Sequence, residues 1–194
     1  MKMTTKKINA QMITMTAILT AIGIVIPIIM PVKVVIGPAS YTLGSHVPIM
    51  LAMFISPWSA LMVTVGTTLG FLWASFPIII VLRALSHVLF AVTGAFMLQN
   101  NSERYLAPMK GQLFSLFIAI LHAIGEMAVV YVMLTTGMSH LDNQTSLWFM
   151  VFVLVGLGTI VHSMVDFVIA QWLWGALVNR LPRKLSVSVT SKPF

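Results

Sequence analysis

Apolar residues run through this chain in long unbroken stretches, interrupted by short polar or proline-bearing segments, and do not alternate every second residue. A hydrocarbon core about 30 Å thick needs roughly 20 apolar residues in a helix. Continuous runs of that length predict membrane helices rather than barrel strands. Six segments follow, at residues 8–30, 44–56, 58–74, 77–98, 111–136 and 147–178. The first stops at Pro31, and the second is short for a full crossing. Ser56-Pro57-Trp58 reads as a tight turn with Pro57 opening the third helix. Ser75-Phe76-Pro77 reads as another turn. Residues 32–43 form a loop rich in small and turn residues, 99–110 the one clearly hydrophilic connection, and 137–146 a polar loop. With no internal repeat or low-complexity tract, the expectation is a single all-α integral membrane domain of six transmembrane helices over residues 1–194.

Composition agrees. The chain is 59% hydrophobic and 8% charged, against roughly 25% charged in soluble domains. Cysteine is absent, which removes disulfides, thiol catalysis and cysteine-bound metal. The net charge of +7 points to membrane topology and not to nucleic acid, because the cations flank the apolar runs. Placing both termini in the cytoplasm puts Lys2, Lys6, Lys7, Arg104, Lys110, Arg180, Arg183, Lys184 and Lys192 inside, nine of eleven, a strong positive-inside bias. The first apolar run exceeds the ~7–15 residues of a cleavable signal core and reads as a retained span. The loops at 31–43, 75–77 and 137–146 then face outward, and Asp142 is a solvated loop charge.

The chemistry lies in three pairs of ionisable residues four apart within apolar segments: Arg83 and His87, His122 and Glu126, His162 and Asp166. Such a spacing puts both members on one helix face. A charge at the bilayer centre costs roughly 3 kcal/mol or more, so these groups should face the protein interior. Arg83 falls ~9 Å, and Glu126 ~15 Å, below the outer helix ends at 1.5 Å per residue. The two can share a layer with His87, whereas His162 and Asp166 fall deeper if the sixth span starts at Leu147, rise if that long helix projects beyond the bilayer, and are read as glue between helices. His122–Glu126 has helical two-ligand spacing without the His-Glu-x-x-His arrangement of zinc proteases, so a ligand-orienting carboxylate or a counter-charge to Arg83 is expected and no metal. His46, beside Pro48, reads as interfacial and is kept among the candidate binding residues. Tyr41, Trp73, Phe76, Tyr131 and Trp148 fall near the outer boundary, where an aromatic belt is the default. Of these, Tyr41 and Trp73 adjoin a loop over the expected pocket and are chosen to stack on a ring-shaped ligand. Small residues recur four apart at Ala17 and Ala21, Gly66 and Gly70, and Ala91 and Ala95, a spacing that lets helices approach closely.

A short basic N-terminus, a first helix carrying Ala17-Ile-Leu-Thr-Ala21, a structured outer loop and six spans in under 200 residues together resemble the substrate-binding S components of energy-coupling factor (ECF) vitamin transporters. The stretch from Ile36-Gly-Pro-Ala-Ser-Tyr through Ser56-Pro57, and Phe76-Pro-Ile-Ile-Ile-Val-Leu-Arg83-Ala-Leu-Ser-His87, resemble the niacin-type members. The resemblance implies a bacterial plasma-membrane protein that binds a vitamin from outside without cofactor or catalysis. It implies docking of the Ala17–Ala21 face on a transmembrane scaffold subunit that carries two ATPase subunits. No Gly-x-x-x-x-Gly-Lys phosphate loop is present, as fits a chain that hydrolyses nothing itself. Arg83 would hold the carboxylate of nicotinate, His87 or Glu126 would orient the ring end, and Tyr41 or Trp73 would stack, with His122 and His46 nearby. Pantothenate, also an anion, satisfies the same argument. From other classes, an intramembrane metal-dependent hydrolase using His122, Glu126, His162 and Asp166, and a proton-coupled carrier, compete with this reading.

Overall fold

The computed structural model describes residues 8–106, 108–138 and 145–178. The terminal basic residues Lys2, Lys6, Lys7, Arg180, Arg183, Lys184 and Lys192, and the loop residue Asp142, lie outside the described residues. Helix α1 (Ala10–Ile29) starts at Asn9, whose side chain accepts a hydrogen bond from the Met12 amide. A hairpin of β1 (Lys33–Ile36) and β2 (Ala39–Thr42) follows. Next come α2 (Val47–Ile55), α3 (Pro57–Trp73), α4 (Ile78–Ser86), α5 (Val88–Leu106) and α6 (Pro108–Thr135). A π-helical segment, Phe149–Leu157, then runs directly into α7 (Gly158–Val178).

Among the described residues, four stretches are long and apolar enough to cross a membrane: Ala10–Ile29, Ile78–Gln99, Met109–Thr135 and Phe149–Leu177. The second expected segment differs in kind. At nine residues α2 is about 14 Å long, and every one of its residues is buried. It packs against α1, α3, α5 and α7 and forms the centre of the molecule. Met50, Met53 and Phe54 of α2 join Phe90, Ile118, Phe167 and Trp174 in the main apolar core. Meanwhile Ile13, Ile18, Ile22, Val25, Ile28 and Ile29 of α1 are exposed. Apolar residues outside and charged residues inside reverse the arrangement expected in water, and suit a lipid solvent.

The connection expected as a loop at 32–43 is a paired hairpin instead. Ile36 pairs with Ala39, leaving Gly37-Pro38 as a two-residue turn. Gly37 has φ +55 and proline holds φ near −65°, the combination a type II′ turn uses. In β2, Ala39 and Thr42 are buried and the two residues between them half-buried, while β1 is exposed throughout, so β2 lies inward, against α7 and the π-helical segment.

Pro57 does open α3, with Ser56 accepting from the Ser59 amide at 3.0 Å. The end of α3 explains where its aromatics point. Phe76 N–H donates to the Phe71 carbonyl and Ser75 N–H to that of Leu72, while Ser75 takes φ +59. This is a Schellman ending, which brings the residues at its two ends into contact. Phe71 and Phe76 stack with ring centres 4.8 Å apart.

Glycine sets the α1–α3 contact. A Cβ on Gly66 would stand 2.6 Å from Thr20 Cγ2, and one on Gly23 would stand 2.8 Å from Thr67 Oγ1. Gly66→Val is therefore expected to force the two helices apart and lower stability by roughly 1–3 kcal/mol. Thermal unfolding of the purified protein in detergent checks this.

Candidate functional site

At the hairpin end of the bundle a cavity of about 580 Å³ opens between the hairpin, α2, α3, α4 and α6. Its walls are apolar (Ile49, Phe71, Phe76, Ile79, Ile80), and its polar lining includes Thr67, Arg83, His87, Glu126, Ser45 and His46. Concave, mainly apolar walls with a few converging polar groups are the ordinary form of a small-molecule site.

Arg83 and Glu126 meet in the cavity, as their matched depths predict. Arg83 Nη2 donates to Glu126 Oε2 at 2.9 Å, with both side chains buried. Arg83 Nη1 donates to the Pro38 carbonyl at 2.9 Å, so the same guanidinium ties the hairpin turn to α4. The Nε–H has no partner among the described residues. Thr159 Oγ1 donates to Glu126 Oε2 at 2.5 Å, and His87 Nε2 lies 3.2 Å from Oε1. Removing one member of a buried pair leaves the other charge uncompensated, at a cost of about 3–5 kcal/mol.

His162 and Asp166 take the higher of their two expected positions, near the hairpin. The Asp166 carboxylate accepts from the amides of Gly44 at 2.8 Å and His46 at 2.9 Å, and lies 3.2 Å from His46 Nδ1. Ser45 Oγ is 3.2 Å from His162 Nε2. The turn after β2 therefore dips between the helices to meet Asp166. Wider i→i+5 turns through Phe149–Leu157 also advance less per residue than α turns, which keeps His162 near the hairpin end. All three ionisable pairs form one network, with Asp166 as the anchor of the hairpin's return.

His46 is not interfacial. It is buried and its ring centre lies 4.8 Å from that of His87, 4.5 Å from that of His122 and 4.9 Å from that of His162. His122 sits behind this layer, fully buried and outside the cavity lining.

The two aromatics chosen for stacking lie elsewhere. Trp73 is 91% exposed, because the Schellman turn directs Phe71 and Phe76 inward and leaves Trp73 on the outer face. Tyr41 does not line the cavity. Its hydroxyl donates to the backbone carbonyls of Leu154 and Val155, inside the π-helical segment. Gly158 makes room for it, since a Cβ there would stand 2.5 Å from the hydroxyl. Phe71, Phe76 and Thr159 are the residues that sequence reasoning passed over. Thr159 shares a helix face with His162 and Asp166 at i, i+3 and i+7, and that spacing was the available signal.

Ala17 and Ala21 are both exposed on α1, on the face turned away from α2 and α3. Gly66 and Gly70 of the matching pair instead face α1, and Ala91 and Ala95 are fully buried.

No protein-family model and no solved structure matches the chain. The niacin transporter NiaX of Lactococcus lactis subsp. cremoris (strain MG1363) is 42% identical over 179 residues, which cover 92% of this chain and 79% of that protein. A likeness of that extent places this membrane protein in the family of the niacin transporter NiaX.

Proposed function

We propose that this chain is the substrate-capture S component of an ECF-type importer, taking up niacin as the nicotinate anion from the outer face of a bacterial plasma membrane. It is not an enzyme in this reading. It works with a transmembrane scaffold subunit and two ATPase subunits, which drive its reorientation. The six-segment arrangement with both termini cytoplasmic belongs to the same proposal, and it sets the hairpin end outside.

The observation that carries the reading is Arg83, a permanent cation buried at 5% exposure on the wall of a cavity large enough for a small ring compound. A guanidinium matches a carboxylate in shape and charge, and Nε–H remains available for one. The stacked Phe71 and Phe76 offer the ring an apolar face, in place of Trp73 and Tyr41. The hairpin covers the cavity through Gly37, Pro38 and Ser40 and is held by Arg83 and Asp166, so it can act as the outer lid. For docking, the support is α1, which has the smallest buried share of the four long apolar helices at 22% and presents Ala17 and Ala21 on its open face.

Arg83→Ala is expected to weaken nicotinate binding more than ten-fold, since a charge-assisted pair contributes about 1.5–3 kcal/mol. Calorimetric titration of the purified protein measures it, and unchanged affinity would sink the carboxylate role. Ala17→Trp should keep vitamin binding but abolish uptake in cells carrying the ATPase module. Transport that survives this change rules out docking through α1. Asp166→Ala should release the Gly44 and His46 amides, raising their hydrogen exchange at least ten-fold while the α3 amides stay protected.

A further inference from the structure

The cavity network contains more nitrogen ligands than vitamin binding requires. His46, His87, His122 and Glu126 are all buried, and each can offer one ligand atom such that all four lie within 4.8 Å of one another. The three imidazoles form a nearly equilateral triangle, with centres 4.5, 4.6 and 4.8 Å apart and planes crossed at 74°, 83° and 74°. Apolar packing alone does not demand three rings turned edge-to-face around one point.

Two separations match those of neighbouring ligand atoms around a common ion. His87 Nε2 and His122 Nε2 stand 3.2 and 3.5 Å from Glu126 Oε1. Tetrahedral bonds of ~2.0–2.1 Å place neighbouring ligand atoms about 3.3–3.4 Å apart. As a hydrogen bond, the His122 contact is too long, and neither ring nitrogen of His122 has a hydrogen-bond partner among the described residues. A fully buried imidazole left in that state requires an explanation.

The surrounding contacts have the matching form. Asp166 Oδ2 lies 3.2 Å from His46 Nδ1, which orients the ring and leaves Nε2 for the cluster. A carboxylate behind a ligating histidine is the usual support of such a ligand. Glu126 divides its oxygens, with Oε2 taken by Arg83 and Thr159 and Oε1 toward the histidines.

Charge supplies an independent reason. With neutral imidazoles, the buried network holds Arg83 against Glu126 and Asp166, one negative charge in excess, and Lys33 stands at the exposed mouth. An anion entering this cavity is repelled by its floor. A dication reverses the sign to one positive charge in excess.

We propose that His46, His87, His122 and Glu126 bind one divalent transition-metal ion of the zinc class at the cavity floor, and that this ion joins Arg83 in anchoring an anionic ligand. Three imidazoles and a carboxylate suit such an ion, and zinc can expand to a fifth ligand. His46, His87 and Glu126 line the cavity, so that position can face the incoming carboxylate or ring nitrogen. The anchoring role rests on the vitamin-capture reading, while the metal site itself does not.

The test uses the full-length protein purified in detergent, stripped with a chelator and titrated with Zn²⁺ or Co²⁺. The expected result is one ion per chain by elemental analysis, with the strong visible absorption of a four-coordinate cobalt centre. His122→Ala should weaken metal binding at least ten-fold, and Asp166→Asn should weaken it by roughly 10–100-fold. Nicotinate should bind the stripped protein more than ten-fold less tightly than the reloaded one. Failure of the stripped wild-type protein, still folded by circular dichroism, to take up either ion overturns the site without depending on any variant. Equal nicotinate affinity with and without metal overturns the anchoring role and leaves vitamin capture standing. Stoichiometric metal in a protein that binds no nicotinate has the opposite meaning, with the vitamin reading lost and the metal site retained.

Discussion

The burial of one guanidinium beside one carboxylate, in a protein whose outer surface is apolar, is the constraint that organises this molecule. Neither Arg83 nor Glu126 can face lipid, because an unpaired ion there costs several kcal/mol. Their contact at 2.9 Å fixes α4 against α6 at a defined height. Arg83 then reaches the Pro38 carbonyl, so the same charge that would be costly alone also fastens the hairpin over the cavity. Thr159 brings the segment containing α7 to the other oxygen of the pair.

Around that pair, apolar and polar layers have separate tasks. The short α2 fills the centre with methionine and phenylalanine side chains, while its N-terminal neighbour His46 supplies the polar ceiling above them. Asp166 receives two backbone amides at the start of this helix, so the chain leaving β2 has its free donors satisfied inside the protein. In lipid no water would satisfy them. The polar network beside the cavity therefore also satisfies backbone groups that lipid cannot.

The π-helical segment has a comparable double use. Tyr41 of the hairpin donates to two of its backbone carbonyls, those of Leu154 and Val155. The hairpin is thus held from three sides, by Arg83, by Asp166 and by the Leu154–Val155 carbonyls. A hairpin fastened through hydrogen bonds, with little apolar burial on β1, can separate from the helices at modest energetic cost.

Much of this was legible in the linear chain, for a definite reason. Apolar runs of membrane length, the helix start at Pro57, and a shared layer for Arg83 and Glu126 all follow from local rules: hydropathy, proline geometry and helical rise. The i, i+4 spacing of Arg83–His87, His122–Glu126 and His162–Asp166 put each pair on one face without further information, and two of the three small-residue steps, Gly66–Gly70 and Ala91–Ala95, marked where helices pack. Three matters depended on tertiary contact. Trp73 and Phe76 are three residues apart and both lie near the boundary, yet the Schellman ending of α3 alone determines that the phenylalanine turns in and the tryptophan out. His46 looks like a surface histidine until the loop before α2 descends to Asp166. The triangle of His46, His87 and His122 draws on three separate segments, and no spacing within one helix encodes a distance between helices.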